Sequence, residues 1–357
     1  MKKNSIIIII ILICAVTLLF NVKNNDIKVS EKKQEKPKQI LPETPYINEN
    51  LTQYEIFRNS SSFIYYRGES KPGIISKYDI AVLNPKMWSD GGIKRLKTMK
   101  TIPIAECSVT RVDGDTPLFK LIPDELKKRA EGPKPTLIME IEDLWLSMLK
   151  TNIIKKIMYS GYAGIQLNDL NLVGKTQGEI TDFRLFLSDL KLEFPGIIII
   201  FSGNFETAKI LTPLIDGYSM LGFYHGSKNN ELLGEKIRNL NIPVVFTIDF
   251  IDLQYTDKVS EAFKNSRDEG FIPFIGKNPD KLVQSSKLPP ESGEGYLKIK
   301  TGDSSKSVLI NGTEIKRINK YGYYSHLVKK AYHKIEYDSK NVSVPVIPGR
   351  TSFLDLR

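Results

Sequence analysis

Between residues 55 and 285, short runs rich in β-branched and aromatic residues alternate with longer stretches in which apolar positions recur every three or four residues. The short runs fall at 63–66, 80–83, 102–105, 164–167, 197–201, 217–221, 244–248 and 271–275. Helical periodicity occupies 92–99, 144–160, 180–193, 205–214, 230–239 and 258–270. Strand-then-helix repetition is the pattern of a parallel α/β architecture. Eight repeats over this length predict a closed (β/α)₈ barrel, a TIM barrel, spanning 53–285. A doubly wound open sheet is the structural competitor, but the glycine-rich dinucleotide turn that usually marks it is absent. A further run at 137–141 fits better inside a long loop after the third strand than as a ninth barrel strand.

The pattern changes at both ends. Met1-Lys2-Lys3 precedes an uncharged apolar run from Ile6 to Phe20, which reads as an export signal. No small-x-small cleavage site follows, and bulky Ile13 before Cys14 argues against a lipoprotein box. The preferred reading of 1–22 is therefore an uncleaved membrane anchor, with a cleaved signal peptide as the alternative; lysines before the run place the rest outside the membrane. Residues 23–52, rich in Lys, Glu and Pro, read as a tether unable to bury enough surface to fold. Beyond a polar linker at about 277–295, alternation of period two sets in, with Asn311-Gly312 as a hairpin turn. Residues 293–357 thus form a small all-β sandwich. Its VLINGTEI hairpin is similar to that of PEGA-like modules, which implies spacing or polymer contact.

Charge and cysteine content narrow the setting. The formal charge is +10, and residues 1–52 hold eight lysines against five acids, so an excess of about seven belongs to the folded part. No nucleic-acid motif accompanies it, and nucleic acid is not an expected partner. Only two cysteines exist, Cys14 and Cys107, so the core has to supply stability without an intradomain disulfide.

In a barrel of this type the chemistry gathers at the carboxyl ends of the strands. The side chains ending the runs are Arg67 and Glu69, Asn84, Glu106, Asn168 and Asp169, Asn204, Tyr224 and His225, and Asp249. This is a polar rim on an apolar cage, as a sugar site needs. For each residue singly, the competing explanation is a loop residue or a cap on the next helix. Tyr65, Tyr66, Trp88, Phe223, Tyr224, Phe250 and Tyr255 add aromatic faces on which sugar rings stack.

The ordered strings FIYYRGE, KYDIAVLNP, TIPIAECSV, GYAGIQLND, DGYSML, VVFTIDF and GFIPFIG resemble glycoside hydrolase family 114, the endo-α-1,4-polygalactosaminidases. The same barrel forms the hydrolase domain of Pel exopolysaccharide proteins. The resemblance covers about 55–285 and implies an extracytoplasmic enzyme acting on an amino-sugar polysaccharide. Tyr78-Asp79 keeps the family's second-strand motif, Glu106 keeps a glutamate and Asp249-Phe250 resembles its Asp-Tyr. The principal fourth-strand aspartate falls on Asn168, and a glutamate after the sixth strand falls at or beside Leu221.

Glycoside hydrolysis ordinarily needs two carboxyl groups flanking the scissile bond. Glu106, Asp249 and Asp169 are the candidate catalytic carboxyls, with Glu106 and Asp249 the favoured acid and base. Asp169 follows Asn168 and would face the opposite side of a regular strand, so it replaces Asn168 only through a bulge or a register slip; a cap on the next segment is the other reading. Tyr65, Asp79, Asn168, Asn204, Tyr224 and His225 are the expected sugar-binding set. A barrel that binds glycan without cutting it is the alternative function. No cofactor or metal is expected: the three histidines show no zinc spacing, and Gly174-Lys175-Thr176 lacks the upstream glycine of a phosphate loop. Asp113 and Asp115 fit a solvated turn better than a calcium site, and a Cys107–His225 nucleophile pair lacks an orienting third group.

Overall fold

The structure, a computed structural model, describes residues 52–114, 116–123, 130–131, 136–224, 230–281, 288–302, 307–315 and 323–357. The anchor and tether expectations, and His225 and Asp115, lie outside the described residues. No helix among the described residues is long and apolar enough to cross a membrane.

The helix Gln53–Asn59 opens with a capping box between Thr52 and Glu55. Strands β1 (Phe63–Tyr66), β2 (Ile80–Leu83) and β3 (Ile102–Ser108) follow, separated by helical segments. An insert then carries β4 (Arg111–Asp113), β5 (Ala130–Glu131) and β6 (Thr136–Ile138), which form their own antiparallel sheet. Of the 137–141 run, Leu137 and Ile138 belong to strand β6, which lies outside the barrel. The barrel resumes with β7 (Gly164–Asn168), β8 (Ile198–Ser202), β9 (Gly217–Leu221), β10 (Val244–Phe250) and β11 (Ile272–Gly276). The helix predicted over 144–160 is interrupted by a π-turn, Lys150–Ile154.

The eight strands β1-β2-β3-β7-β8-β9-β10-β11 pair in parallel in that order. Between β1 and β11 the described residues show no ladder. That seam is bridged by Phe63 against Phe274, 6.0 Å between ring centres, and by Arg67 N–H donating to Pro279 O at 2.8 Å. The barrel is nearly closed rather than fully laddered. Gly164 lets β7 approach β8: a Cβ there would meet Ile198 O at 2.0 Å.

Register decides which side chains face inward, because residues opposite one another on parallel strands share a face. Phe63 lies opposite Ile80, Ile80 opposite Ile102, and the same parity continues through Ile104, Gly164, Ile198, Ser202, Ser219 and Phe246 to Ile272. Phe57, from the first helix, plugs the amino end against Phe246. Inward at the carboxyl end are Tyr65, Glu106, Asn168, Leu221 and Phe250. Outward is Asp249, paired in register with Ile275.

The chain ends in β12 (Glu294–Lys300), β13 (Val308–Ile310), β14 (Thr313–Ile315), β15 (Tyr323–Lys329), β16 (Tyr332–Tyr337), β17 (Lys340–Pro345) and β18 (Thr351–Asp355). Two sheets, β15-β12-β18 and β14-β13-β16-β17, enclose a separate core built on Leu297, Ile299, Ile335 and Leu354. Asn311 and Gly312 both take positive φ, as the Asn-Gly hairpin signal requires. Strand β18 escaped the sequence reading; it pairs with β12 in parallel, which no hairpin turn announces.

This module is docked on the amino end of the barrel. Asp79, just before β2, accepts from Ser62 Oγ at 3.0 Å, Thr351 N at 3.1 Å and Thr351 Oγ1, and Arg350 Nε lies 3.4 Å away. Arg350 also donates to Tyr78 O, to Thr101 Oγ1 at 3.1 Å and to Lys100 O at 2.6 Å. Arg267 stacks 4.9 Å from the Tyr296 ring, and Lys298 Nζ reaches Arg58 O at 3.3 Å. Gly349 fits only without a side chain, since a Cβ would lie 2.5 Å from Lys77 O.

Candidate functional site

The carboxyl mouth is organised around Glu106. Its side chain, 10% exposed, points inward from β3 and receives donors on both oxygens. Tyr65 Oη and Asn168 Nδ2, the latter at 2.9 Å, donate to Oε1, and Arg67 Nε lies 3.1 Å from Oε2. Asn168 is itself oriented by Gln166 Nε2, which donates to its Oδ1 at 3.0 Å. These groups come together because β1, β3 and β7 end at the same rim and share parity. Arg67, just past β1, keeps 49% of its side chain in solvent. Burial works against its charge, but Glu106, then Tyr65, Asp280 and Asp169, hold the guanidinium above its ordinary pKa. The Tyr65 phenol is pushed well up, first by burial and then by the negative Glu106 beside it. In the free site its proton therefore stays on the oxygen.

Asp169 stands beside this cluster, at the point where the strand breaks. Its φ of 58° is left-handed, a conformation Asp tolerates better than most residues. Ser108 Oγ donates to its Oδ2 at 2.8 Å and Thr110 Oγ1 to its backbone carbonyl, which fixes the turn. The side chain is exposed, and its charge is felt by both Tyr65 and Arg67. The alternation that would have pointed it away ends one residue too early to do so.

Asp249 does not join them, and this corrects the favoured acid–base pair. It is 1% exposed, faces out of the barrel wall and accepts from Tyr224 N at 2.8 Å. Glu106 and Asp249 thus lie on opposite faces of the wall. Asp79 is likewise removed from the mouth, because it lies just before the start of β2, at the amino end, and the docked module covers it. Asn204 is spent locally: its Oδ1 caps the helix Phe205–Leu211 through Thr207 N at 2.8 Å, and its Nδ2 donates to Asn171 Oδ1. Tyr224 is half-buried with its ring 4.6 Å from Phe223, and burial, then Asp249, raises its phenol.

The aromatic set thins as well. Tyr66, Trp88 and Phe223 are core residues, whereas Tyr65 and Phe250 face each other across the mouth at 6.5 Å and Tyr255 is exposed. Leu221, 66% exposed, ends β9 with the inward parity. Cys107 is buried on the outward face and its thiol is pushed up to about 12 by that burial, so it carries no nucleophile pair. Asp113 lies 3.7 Å from Lys86 Nζ on the surface, and no group of three metal-ligating side chains gathers among the described residues. Sequence reasoning placed Arg67 on the rim without giving it a role; a basic residue two positions past an inward tyrosine was the available signal.

No family model matches the chain, and no curated protein matches it. Among solved structures it is similar to the glycoside hydrolase domain of PelA from Pseudomonas aeruginosa, with a TM-score of 0.53 and 20% identity over 63% of this chain and 98% of that one. It is also similar to Ega3 from Aspergillus fumigatus in complex with galactosamine, with a TM-score of 0.51 and 12% identity over 64% of this chain and 95% of that one. At these identities the likeness is one of fold: a glycoside hydrolase-like barrel.

Proposed function

We propose that the chain is an exported glycosidase acting on an amino-sugar polysaccharide, with Glu106 and Asp169 as its working carboxyls. The observation that carries this is the cluster of Tyr65, Arg67 and Asn168 on Glu106 at one barrel mouth, with the exposed Asp169 near enough for its charge to act on Tyr65 and Arg67. Two carboxyls at one barrel mouth are the minimum for the ordinary general acid–base cleavage of a glycosidic bond. Arg67 offsets Glu106, and exposed Asp169 and Asp280 leave a negative field beside it, suited to a protonated amino sugar. Phe250 and Tyr255 supply faces for the ring. Galactosamine in the Ega3 structure supports this ligand class. Export rests on the amino-terminal apolar run, which would also hold the protein at a membrane.

A second reading has its own observation. By the resemblance, one family acid falls on Asn168 and another at or beside Leu221, so the mouth would hold glycan without cutting it. Reducing-end release from partially deacetylated poly-galactosamine separates the two. Cleavage by the wild-type chain that disappears in Glu106→Gln and Asp169→Asn, with binding kept, supports hydrolysis. Binding with no release by the wild type refutes it and leaves the second reading.

A further inference from the structure

We propose that Tyr65 is the nucleophile of this mouth, with Glu106 as its base and Asp169 as the acid; this rests on the hydrolytic reading above. Both oxygens of Glu106 are already engaged, one by Tyr65 and Asn168 and the other by Arg67. Direct attack by Glu106 would break at least one of these contacts. The engaged Oε1 leads instead to the Tyr65 oxygen, which is half-buried, inward and opposite Phe250. A nucleophile hydrogen-bonded to a base that a third group holds in place is the general arrangement of covalent catalysis. Here Arg67 and Asn168 are the holding groups. Tyrosine also serves as nucleophile in some glycosidases that depart from the two-carboxyl scheme. The need is local: by the resemblance, one family acid falls on Asn168 and another at or beside Leu221.

The steps balance. Tyr65 Oη attacks the anomeric carbon while its proton passes to Glu106 Oε1. The bond to the leaving sugar breaks, and that oxygen takes a proton from Asp169. The resulting aryl glycoside is then attacked by water, which gives a proton to Asp169. The bond from the anomeric carbon to Oη breaks, and Glu106 returns its proton to Oη. Two displacements leave the anomeric configuration retained. Because burial and the Glu106 charge keep the phenol protonated, the base has to act within the same step as attack.

The experiment uses the full chain and a 5-fluoroglycosyl fluoride of galactosamine as the trapping probe, followed by digestion and mass spectrometry. The expected result is one sugar added to the peptide that contains Tyr65. Tyr65→Phe keeps the ring against Phe250 but loses the adduct, and turnover falls by about 10³-fold or more. The first product seen by NMR keeps the substrate's anomeric configuration. An adduct on Asp169 or Glu106, an inverted product, or Tyr65→Phe within tenfold of wild-type turnover overturns the proposal while leaving hydrolysis intact. Wild-type chain that neither cleaves polymer nor forms any adduct overturns both. If Tyr65→Phe loses turnover but still forms the adduct elsewhere, Tyr65 merely positions Glu106 and the proposal falls.

Discussion

The two ends of the barrel hold nearly the same chemistry put to different uses. At the amino end Asp79, 4% exposed, is bound by an arginine and by serine and threonine hydroxyls. At the carboxyl end Glu106 is bound by an arginine, a tyrosine hydroxyl and an amide. Both carboxylates have a donor at each oxygen. What differs is the cover. Asp79 and Arg350 are sealed between barrel and module, while Arg67 stands half in water over an open mouth. A charged cluster that a second domain closes serves as an attachment. The same cluster left open can receive a ligand. Residue types alone do not separate the two cases.

The largest expected effect breaks the sealed end. Asp79→Ala leaves Arg350 buried without its carboxylate, and removing one member of a buried pair costs about 3–5 kcal/mol. Thermal unfolding should shift downward by about 10 °C or more. Glu106→Gln should leave the unfolding temperature almost unchanged while abolishing cleavage. An Asp79→Ala chain that melts like wild type and has lost activity would reverse the comparison between the two ends.

A smaller effect sharpens it. Asp79→Asn and Arg350→Met, alone and together, form a cycle whose coupling should be about 0.5–3 kcal/mol. The matching cycle of Glu106→Gln with Arg67→Met at the open mouth should give less than about 1 kcal/mol, because water screens the half-exposed guanidinium. Equal coupling at both ends, measured by urea denaturation, would mean that cover is not what distinguishes them.

The smallest effect is a pH slope at the sealed end. Burial pulls the Lys298 ammonium down to about 8 from an ordinary 10.5, with nearby Asp79 opposing and Arg58 adding to the fall. The unfolded chain then binds more protons than the folded one between those values, so this contribution to stability rises with pH across the window. It is lost as pH falls through about 8. Between pH 7.5 and 10 the wild type should gain about 2–4 °C relative to Lys298→Met, and a difference that stays flat in calorimetry would remove Lys298 from the interface account.

How far the sequence could be read follows from which residues carry local information. The eight barrel strands lay close to their predicted positions, because runs such as Ile197 to Phe201 are buried on both faces and leave no ambiguity of period. Glu106 and Asn168 were legible as strand ends. Asp249 looked equally good in the string, yet a shift of one residue on a strand reverses the side it faces, and only the register across β9, β10 and β11 fixed that side. Asp79 looked like a mouth residue through its motif, but it precedes its strand, and its partners Thr351 and Arg350 come from the last residues of the chain.

The sequence by itself determined the alternation of strand and helix, the change to an all-β module and the set of carboxyls available for chemistry. These depend on local periodicity and residue type, which a chain carries along its length. Only the tertiary structure decided which carboxyl meets which arginine, that Asp169 turns into the mouth, and that the module seals the opposite end. Those outcomes depend on register, on one left-handed backbone angle and on pairings between segments up to 290 residues apart, and each is settled by packing the whole.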